Sequence, residues 1–369
     1  VLWMLGGDRS AVYENPAHDY RPTFRAMAEG LRETAPAALS SYHPAKLMLQ
    51  SGDWFHVDAW LGFNSIQHWP EDQIAAITRD WNRTPPKPTW IFEGRYEGYW
   101  KRNFKAEQWG EWQMRQQAWQ TVLAGAFGHT YGHERIFGFG KDGWDWKKEL
   151  DAPGSNQMRH LAKLISLWSK EDYLSRVPDQ LLLDGDEGKA RRLTSDRLTA
   201  TRNGAGTLAM IYSANGRAMR VKMERLAAGR YAAFWFNPRT ARWRANETEF
   251  DMPQAFEKDI PAGANSPPRS FIPPTNGDGQ DWLLVLSASP LTAQTKEGSK
   301  LKSAWLDASF ESFPPGAAAE TGKRESGWEV QKSGRTEVQE RLRVECVKDA
   351  QRAHGGAKCL ALSIPKDTV

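Results

Sequence analysis

Hydrophobic and polar positions change rhythm along this chain. Up to residue 170, short apolar runs ("VLWML", "AALSSY", "GFNSIQ", "PTWIFEG" and "AFGHTYG") alternate with longer amphipathic stretches. In "YRPTFRAMAEGLRETAP", Phe24, Met27, Ala28 and Leu31 recur at helical spacing, and Pro36 follows the end. "EDQIAAITRDWNRT" repeats the pattern with Ile74, Ile77 and Trp81, and "EWQMRQQAWQTVLAGA" with Met114, Ala118, Thr121 and Val122. "GSNQMRHLAKLISLWS" adds Met158, Leu161, Leu164, Ile165 and Trp168. Strand–helix alternation of this kind predicts parallel β/α units. "QSGDWFHVDAW" has neither period and reads as a loop at a site.

Beyond residue 180 the helical period fades. "RLTATRNGAGTLAMIYSANG", "RAMRVKME", "GRYAAFWFNPRTARW" and "DWLLVLSAS" are short β-rich pieces separated by turn residues. The Asn-Gly pairs at 203–204 and 215–216 signal hairpins or turns. The pattern predicts an antiparallel β-sandwich, with "ANSPPRSFIPPTNGDGQ" as a long loop before its last strand. Further on, "SAWLDASFESFPPG" and "SGWEVQKSG" read as the opening strands of a jelly-roll-like module. The expected domains are therefore 1–175, 176–292 and 293–369.

A chain of 369 residues exceeds one ordinary hydrophobic core, in keeping with several domains. The net charge of +4 is spread along the chain without a basic block, which argues against a nucleic-acid partner. No run of eighteen apolar residues is present, so no membrane span is expected. Cys346 and Cys359 do not identify a redox compartment. Composition changes the picture through 18 Trp, thirteen of them before residue 170 and many in polar surroundings, such as Trp54, Trp60 and Trp112. An indole serves equally for core packing and for stacking on a sugar ring, and composition leaves both open.

In α/β barrels the chemistry sits where strands end and βα loops begin. The apolar runs deliver Asp8 after Gly6-Gly7, then Tyr42-His43, Gln67-His68, Glu93 followed by Glu97, and finally His129, Tyr131, His133 and Glu134. Asp8 and Glu93 are carboxylates on separate strands. Glycoside hydrolysis needs such a pair, one to protonate the leaving oxygen and one to attack or to activate water. Each piece has a plainer reading. Gly-Gly-Asp also makes an ordinary turn, and Glu93 has Arg9 and Arg95 as candidate ion partners. His43 and His68 sit in no His-x-x-x-His or Cys-x-x-Cys spacing, so neither metal nor cofactor is expected. A non-catalytic carbohydrate-binding or adhesion protein on a degenerate barrel is the competing class, with a metal-dependent hydrolase using His43, His68 and His133 behind it.

The stretches "WMLGGDRS", "LSSYHP", "SGDWF", "FNSIQ", "PTWIFEGRYEG", "LAGAFGHTYG" and "LDAPGSNQM", in this order over residues 1–170, resemble the apiosidase-like glycoside hydrolases, family 140 and its relatives. The resemblance implies a (β/α)8 TIM barrel with catalytic carboxylates on its fourth and seventh strands. Asp8 then corresponds to the general acid/base and Glu93 to the nucleophile, with retention of configuration and carboxyls ~5–5.5 Å apart. Substrate contacts are expected from Arg9, Tyr42, His43, Trp54, Gln67, His68, Tyr96, Glu97, Tyr131 and His133. On this reading "VLWML" is the fourth strand, the chain carries strands four to eight, and a fragment cut at both ends with little activity of its own is expected. "AFWFNPRTA" and "DWLLVL" resemble the collagen-binding-type β-sandwich that usually follows this barrel, and packing on the barrel is its expected role. The implied partner is a plant or microbial polysaccharide attacked from its end, and the full-length protein is expected to be secreted or periplasmic.

Overall fold

A computed structural model describes residues 2–12, 18–45, 49–67, 72–99, 109–139, 143–185 and 194–291, with the strand backbones at 318–319, 343–347 and 359–363. The chain clusters into two compact units. One holds Met4–Ala28 and Leu39–Gln294, the other Val1–Trp3, Glu29–Ala38 and Thr295–Val369.

Strand–helix alternation comes first in the chain: β1 (Leu2–Gly6), α1 (Arg21–Thr34), β2 (Leu39–His43), α2 (Ser51–Phe55), β3 (Asn64–Gln67), α3 (Gln73–Trp81) and β4 (Thr89–Glu93). It continues with β5 (Tyr96–Glu97), α4 (Glu111–Leu123), β6 (Gly128–His129), β7 (Gly132–His133), α5 (Glu134–Phe137), α6 (Pro153–Ile165) and α7 (Lys170–Leu174). The helices read from periodicity all form. β3, β4 and β6 make a parallel three-stranded sheet, and β1 pairs with β2. Serines stitch β2 to β3: Ser41 Oγ donates to the Phe63 carbonyl at 2.6 Å, and Ser65 Oγ donates to that of Tyr42. Ile66 and Ile91 of the sheet pack on Ile74 and Ile77 of α3.

Two local differences from the sequence reading have clear causes. The expected site loop contains α2, because Asp53 Oδ2 accepts the Gln50 amide at 2.8 Å and so caps a turn that buries Trp54 and Phe55. "AFGHTYG" is not one strand. β6 pairs with β4 and β7 with β5, because the partner chain itself breaks at Gly94-Arg95.

The remainder of the larger unit is antiparallel. Its strands are β8 (Val177–Pro178), β9 (Leu198–Arg202), β10 (Leu208–Ser213), β11 (Met219–Val221), β12 (Gly229–Asn237), β13 (Arg242–Ala245), β14 (Thr248–Phe250), β15 (Glu257–Ala262), β16 (Arg269–Phe271) and β17 (Trp282–Ser287). The main sheet is eight-stranded, in the order β14-β13-β12-β17-β10-β9-β8 with β15 added onto β12. β10 and β17 are buried along their whole length, which explains their unbroken apolar sequences. Ala209 and Ile211 face one core with Met219, Val221 and Phe271 from the small β11–β16 ladder. Met210 and Tyr212 face a second core with Trp119 and Leu123 of α4 and Leu164 of α6. One side of the sheet therefore carries a small second layer, and the other lies on the helices that back the parallel strands. A buried ion pair locks this contact: Arg115 of α4 donates twice to Asp281, both bonds at 2.8 Å, and Tyr212 donates to the same carboxylate.

In the other unit the backbones of β18 (Ala318–Ala319), β19 (Arg343–Val347) and β20 (Cys359–Ser363) form a three-stranded antiparallel sheet in chain order. The remaining residues of the expected jelly-roll-like module lie outside the described ones. No helix among the described residues is long and apolar enough to cross a membrane.

Candidate active site

The site begins with backbone geometry at the end of β1. Gly6 has φ +82°, and a Cβ there would stand 2.7 Å from both the Tyr42 ring and the His43 carbonyl. Glycine alone lets the strand end come this close to β2. Asp8 also holds a positive φ of 51°, which Asp tolerates better than most side chains. Two bonds fix this turn. The Asp8 amide donates to His43 Nδ1 at 3.3 Å, and the Tyr42 hydroxyl donates to the Arg9 carbonyl at 2.8 Å. The Asp8 carboxylate is exposed, and its Oδ1 accepts from Gln67 Nε2 at 2.5 Å.

Glu93 arrives from the end of β4 by a register slip. Ile66 pairs with Ile91, but the next residue, Gln67, pairs with Glu93 and skips Phe92. The irregularity aims Glu93 at the same rim as Gln67. His43 Nε2 lies 3.1 Å from Glu93 Oε2. With Nδ1 accepting from the Asp8 amide, the imidazole proton is assigned to Nε2, where it faces Glu93. Tyr96 hydrogen-bonds to the same carboxylate. Burial first, and then the charges of Glu93 and Asp8, push its phenol well above the usual range, so it stays protonated and donates. Donor atoms of Asp8, His43 and Glu93 all lie within 4.8 Å of one another. Among the described residues this is the group compact enough to share a metal ion. Within this group His43 Nδ1 accepts from the Asp8 amide, while its buried Nε2 faces Glu93 without a hydrogen bond.

The other expected site residues that the structure describes make different contacts. Tyr42 is fully buried, and Trp54 packs edge-on against it at 5.7 Å in an aromatic core beneath the turn. Arg9 is exposed and lines a cavity of about 510 Å³ with His18, Tyr20 and Phe24. His68 lies outside the described residues. Glu97 follows Tyr96 on β5 and therefore points to the opposite face of the β5–β7 ribbon. There its Oε2 accepts from the Tyr131 hydroxyl at 2.5 Å and its Oε1 from the Gly154 amide, in the first turn of α6, at 3.2 Å. Burial and the bond to Glu97 raise the Tyr131 phenol above its ordinary range. His133 Nδ1 accepts the Arg135 amide at 3.2 Å, and its Nε2 is 3.4 Å from Glu149 Oε2. His129 and His133 are four residues apart, a spacing that on a helix would place both on one face. In this extended segment they part, and the ring nitrogens of half-buried His129 are shut away near the Arg95 charge. Burial, then that charge, hold it down to about 4, so it is neutral. Sequence reasoning missed Glu149 and Arg135, which carry no local signal because their partners arrive from separate loops.

With this geometry in place, comparison with known proteins is informative. Residues 1–170 match the family model of the apiosidase-like catalytic domain. This part of the chain is thus similar to the apiosidase-like glycoside hydrolases. After the apiosidase-like region, residues 177–287 match a model described as "Putative collagen-binding domain of a collagenase". Among solved structures, a glycoside hydrolase family 5 protein from Bacteroides vulgatus ATCC 8482 is similar at 25% identity and a TM-score of 0.64, over 80% of this chain and 64% of that one. A second, described as a glycoside hydrolase, matches at 25% identity and a TM-score of 0.63, over 78% and 64%. The chain thus spans 64% of the length of either structure. No curated protein matches it. The apiosidase-like region shares with these structures a barrel-type glycoside hydrolase fold, and an antiparallel sheet domain follows it.

Proposed function

We propose that the chain is a retaining glycoside hydrolase with Asp8 as general acid/base and Glu93 as nucleophile. The observation that carries this is the pair itself. The two carboxylates stand at the ends of β1 and β4 with oxygens within 4.8 Å, and His43 lies between them. Inverting enzymes separate their carboxyls by about 6.5–9.5 Å to admit a water, so the short gap favours direct attack. Gln67 occupies Oδ1 of Asp8, which leaves Oδ2 to carry a proton to the leaving oxygen. Glu93, held by Tyr96 and with His43 Nε2 3.1 Å away, bonds to the anomeric carbon as the glycosidic C–O bond breaks. In the second half, Asp8 takes a proton from water, the water oxygen attacks the anomeric carbon, and Glu93 is released.

In this reading β1, β2, β3, β4 and β6 are strands four to eight of a barrel. The domains run 1–175, 176–292 and 293–369, and the natural protein acts outside the cytoplasm by exo-cleavage of a plant or microbial polysaccharide. Coverage of both faces of the main sheet supports a bracing role for it rather than glycan or collagen binding through a sheet face. The test is turnover of a panel of aryl glycosides, apiosides included, by the longest natural form of the protein. Glu93→Gln and Asp8→Asn each abolish turnover and leave the unfolding midpoint unchanged. Full activity in either variant removes that residue from its role.

A further inference from the structure

Behind the catalytic ribbon lies a second cavity of about 200 Å³, built from Glu97, Trp109, His133, Arg135, Glu149 and Pro153. It is separated from the Asp8–Glu93 pair by the strand alternation that sends Tyr96 one way and Glu97 the other. Glu97 and His133 are each about nine-tenths buried, and hydrogen bonds fix their rotamers. Tyr131 and the Gly154 amide hold Glu97, and the Arg135 amide holds His133. Glu149 is held by Arg135 Nη1 and by Trp144 Nε1, both at 2.9 Å, and the Arg135 guanidinium lies 3.4 Å from the centre of the Trp144 ring. Trp109 supplies an aromatic wall, steadied by Tyr99 at 5.4 Å between ring centres and by Arg95 at 5.5 Å.

The geometry points to a binding site for a single neutral sugar ring, separate from the catalytic centre. A carboxylate has about four lone-pair positions, and neither Glu97 nor Glu149 fills all of them with the bonds above, so both can accept ligand hydroxyls. His133, with Nδ1 accepting, turns its Nε2–H toward Glu149 at the cavity. These groups are pre-set, so binding orders little of the protein. The volume is below the about 300–1,000 Å³ of drug-sized pockets, which suits one ring rather than a chain. Charge decides which ring. Two carboxylates against one guanidinium leave the lining net acidic, so a uronate is repelled and a neutral hydroxyl-rich sugar is accepted.

The experiment uses the full chain carrying Asp8→Asn and Glu93→Gln together, so its outcome does not depend on the catalytic assignment. Indole N–H signals are followed by NMR during titration with D-xylose, L-arabinose, D-galactose and D-galacturonate. At least one neutral sugar is expected to shift the Trp109 and Trp144 signals saturably, while galacturonate leaves them in place. Adding Glu149→Gln abolishes the shift, and so, read at Trp144, does Trp109→Ala, which keeps the result interpretable if one variant misfolds. Absence of a shift with all three neutral sugars, a shift that survives both variants, or equal binding of galacturonate overturns the proposal.

Discussion

Asp8 owes its position to its neighbours on β1 and β2. Gly6 brings the strand end against Tyr42 and His43, and the Tyr42 hydroxyl ties down the Arg9 carbonyl. Gly6→Ala forces a Cβ into both neighbours at a positive φ. It should destabilise the protein by about 1–3 kcal/mol and remove turnover by displacing Asp8. Thermal unfolding and aryl-glycoside assays measure the two effects separately. His129 gives a pH dependence. It titrates at 6.5 when unfolded but at about 4 in the fold, where both ring nitrogens are buried without partners. Between these values the unfolded chain binds a proton that the folded one refuses. Stability is therefore full above pH 6.5 and falls as the pH drops toward 4, by up to about 3 kcal/mol. His129→Gln flattens that slope, and unfolding midpoints compared at neutral pH and near pH 4.5 show it. Identical slopes in the two proteins would contradict the assignment.

Among elements, the β5–β7 ribbon and α4 do the most to shape the site. The ribbon is two residues per strand, yet it sorts Tyr96 to the Asp8–Glu93 pair and Glu97 to α6. α4 was legible as a helix, but its amphipathic pattern understates its burial. Gln116, Gln117 and Gln120 are buried along with Met114 and Ala118, because neighbours on both sides cover the face that the pattern leaves polar: Gln120 donates to the Arg197 carbonyl, and Gln116 and Gln117 meet Arg95. Gln117 shows why those amides are tolerated. Its Oε1 accepts the Arg95 amide at 2.8 Å, and its Nε2 donates to Gln73 at 2.7 Å. Gln117→Leu strands both partners and should reduce stability by about 1–3 kcal/mol. It also loosens the Gly94-Arg95 link that follows Glu93, so turnover falls as well. Urea unfolding and kcat in the same variant distinguish these effects from a change confined to the helix surface.

At the scale of the larger unit, the antiparallel sheet shares a hydrophobic core and a buried ion pair with α4 and α6, the helices that back the parallel strands. Arg115→Ala leaves Asp281 charged, buried and without its guanidinium, at an expected loss of about 3–5 kcal/mol. Because α4 carries Arg115 and also backs the parallel strands, unfolding of residues 1–291 should remain a single transition at a lower midpoint. Two separate calorimetric transitions would show that the two regions unfold independently. Residues 1–175 expressed alone expose Trp119, Leu123, Leu164 and Trp168, and light scattering should then report aggregation.

The sequence by itself determined the alternation of strands and helices, the antiparallel pieces with their turns, and the placing of acids where strands end. These are local properties, carried by side-chain period and by turn residues within a few positions of each other. The tertiary structure decided which of those polar residues meet. Asp8 reaches His43 across 35 residues and Gln67 across 59, through the pairing of β1 with β2 and the packing of β2 on β3. A slip in the β3–β4 register aims Glu93, and strand alternation sends Glu97 away from it. Convergence over such separations depends on ladder register and on which face is covered, and neither leaves a local trace in the chain.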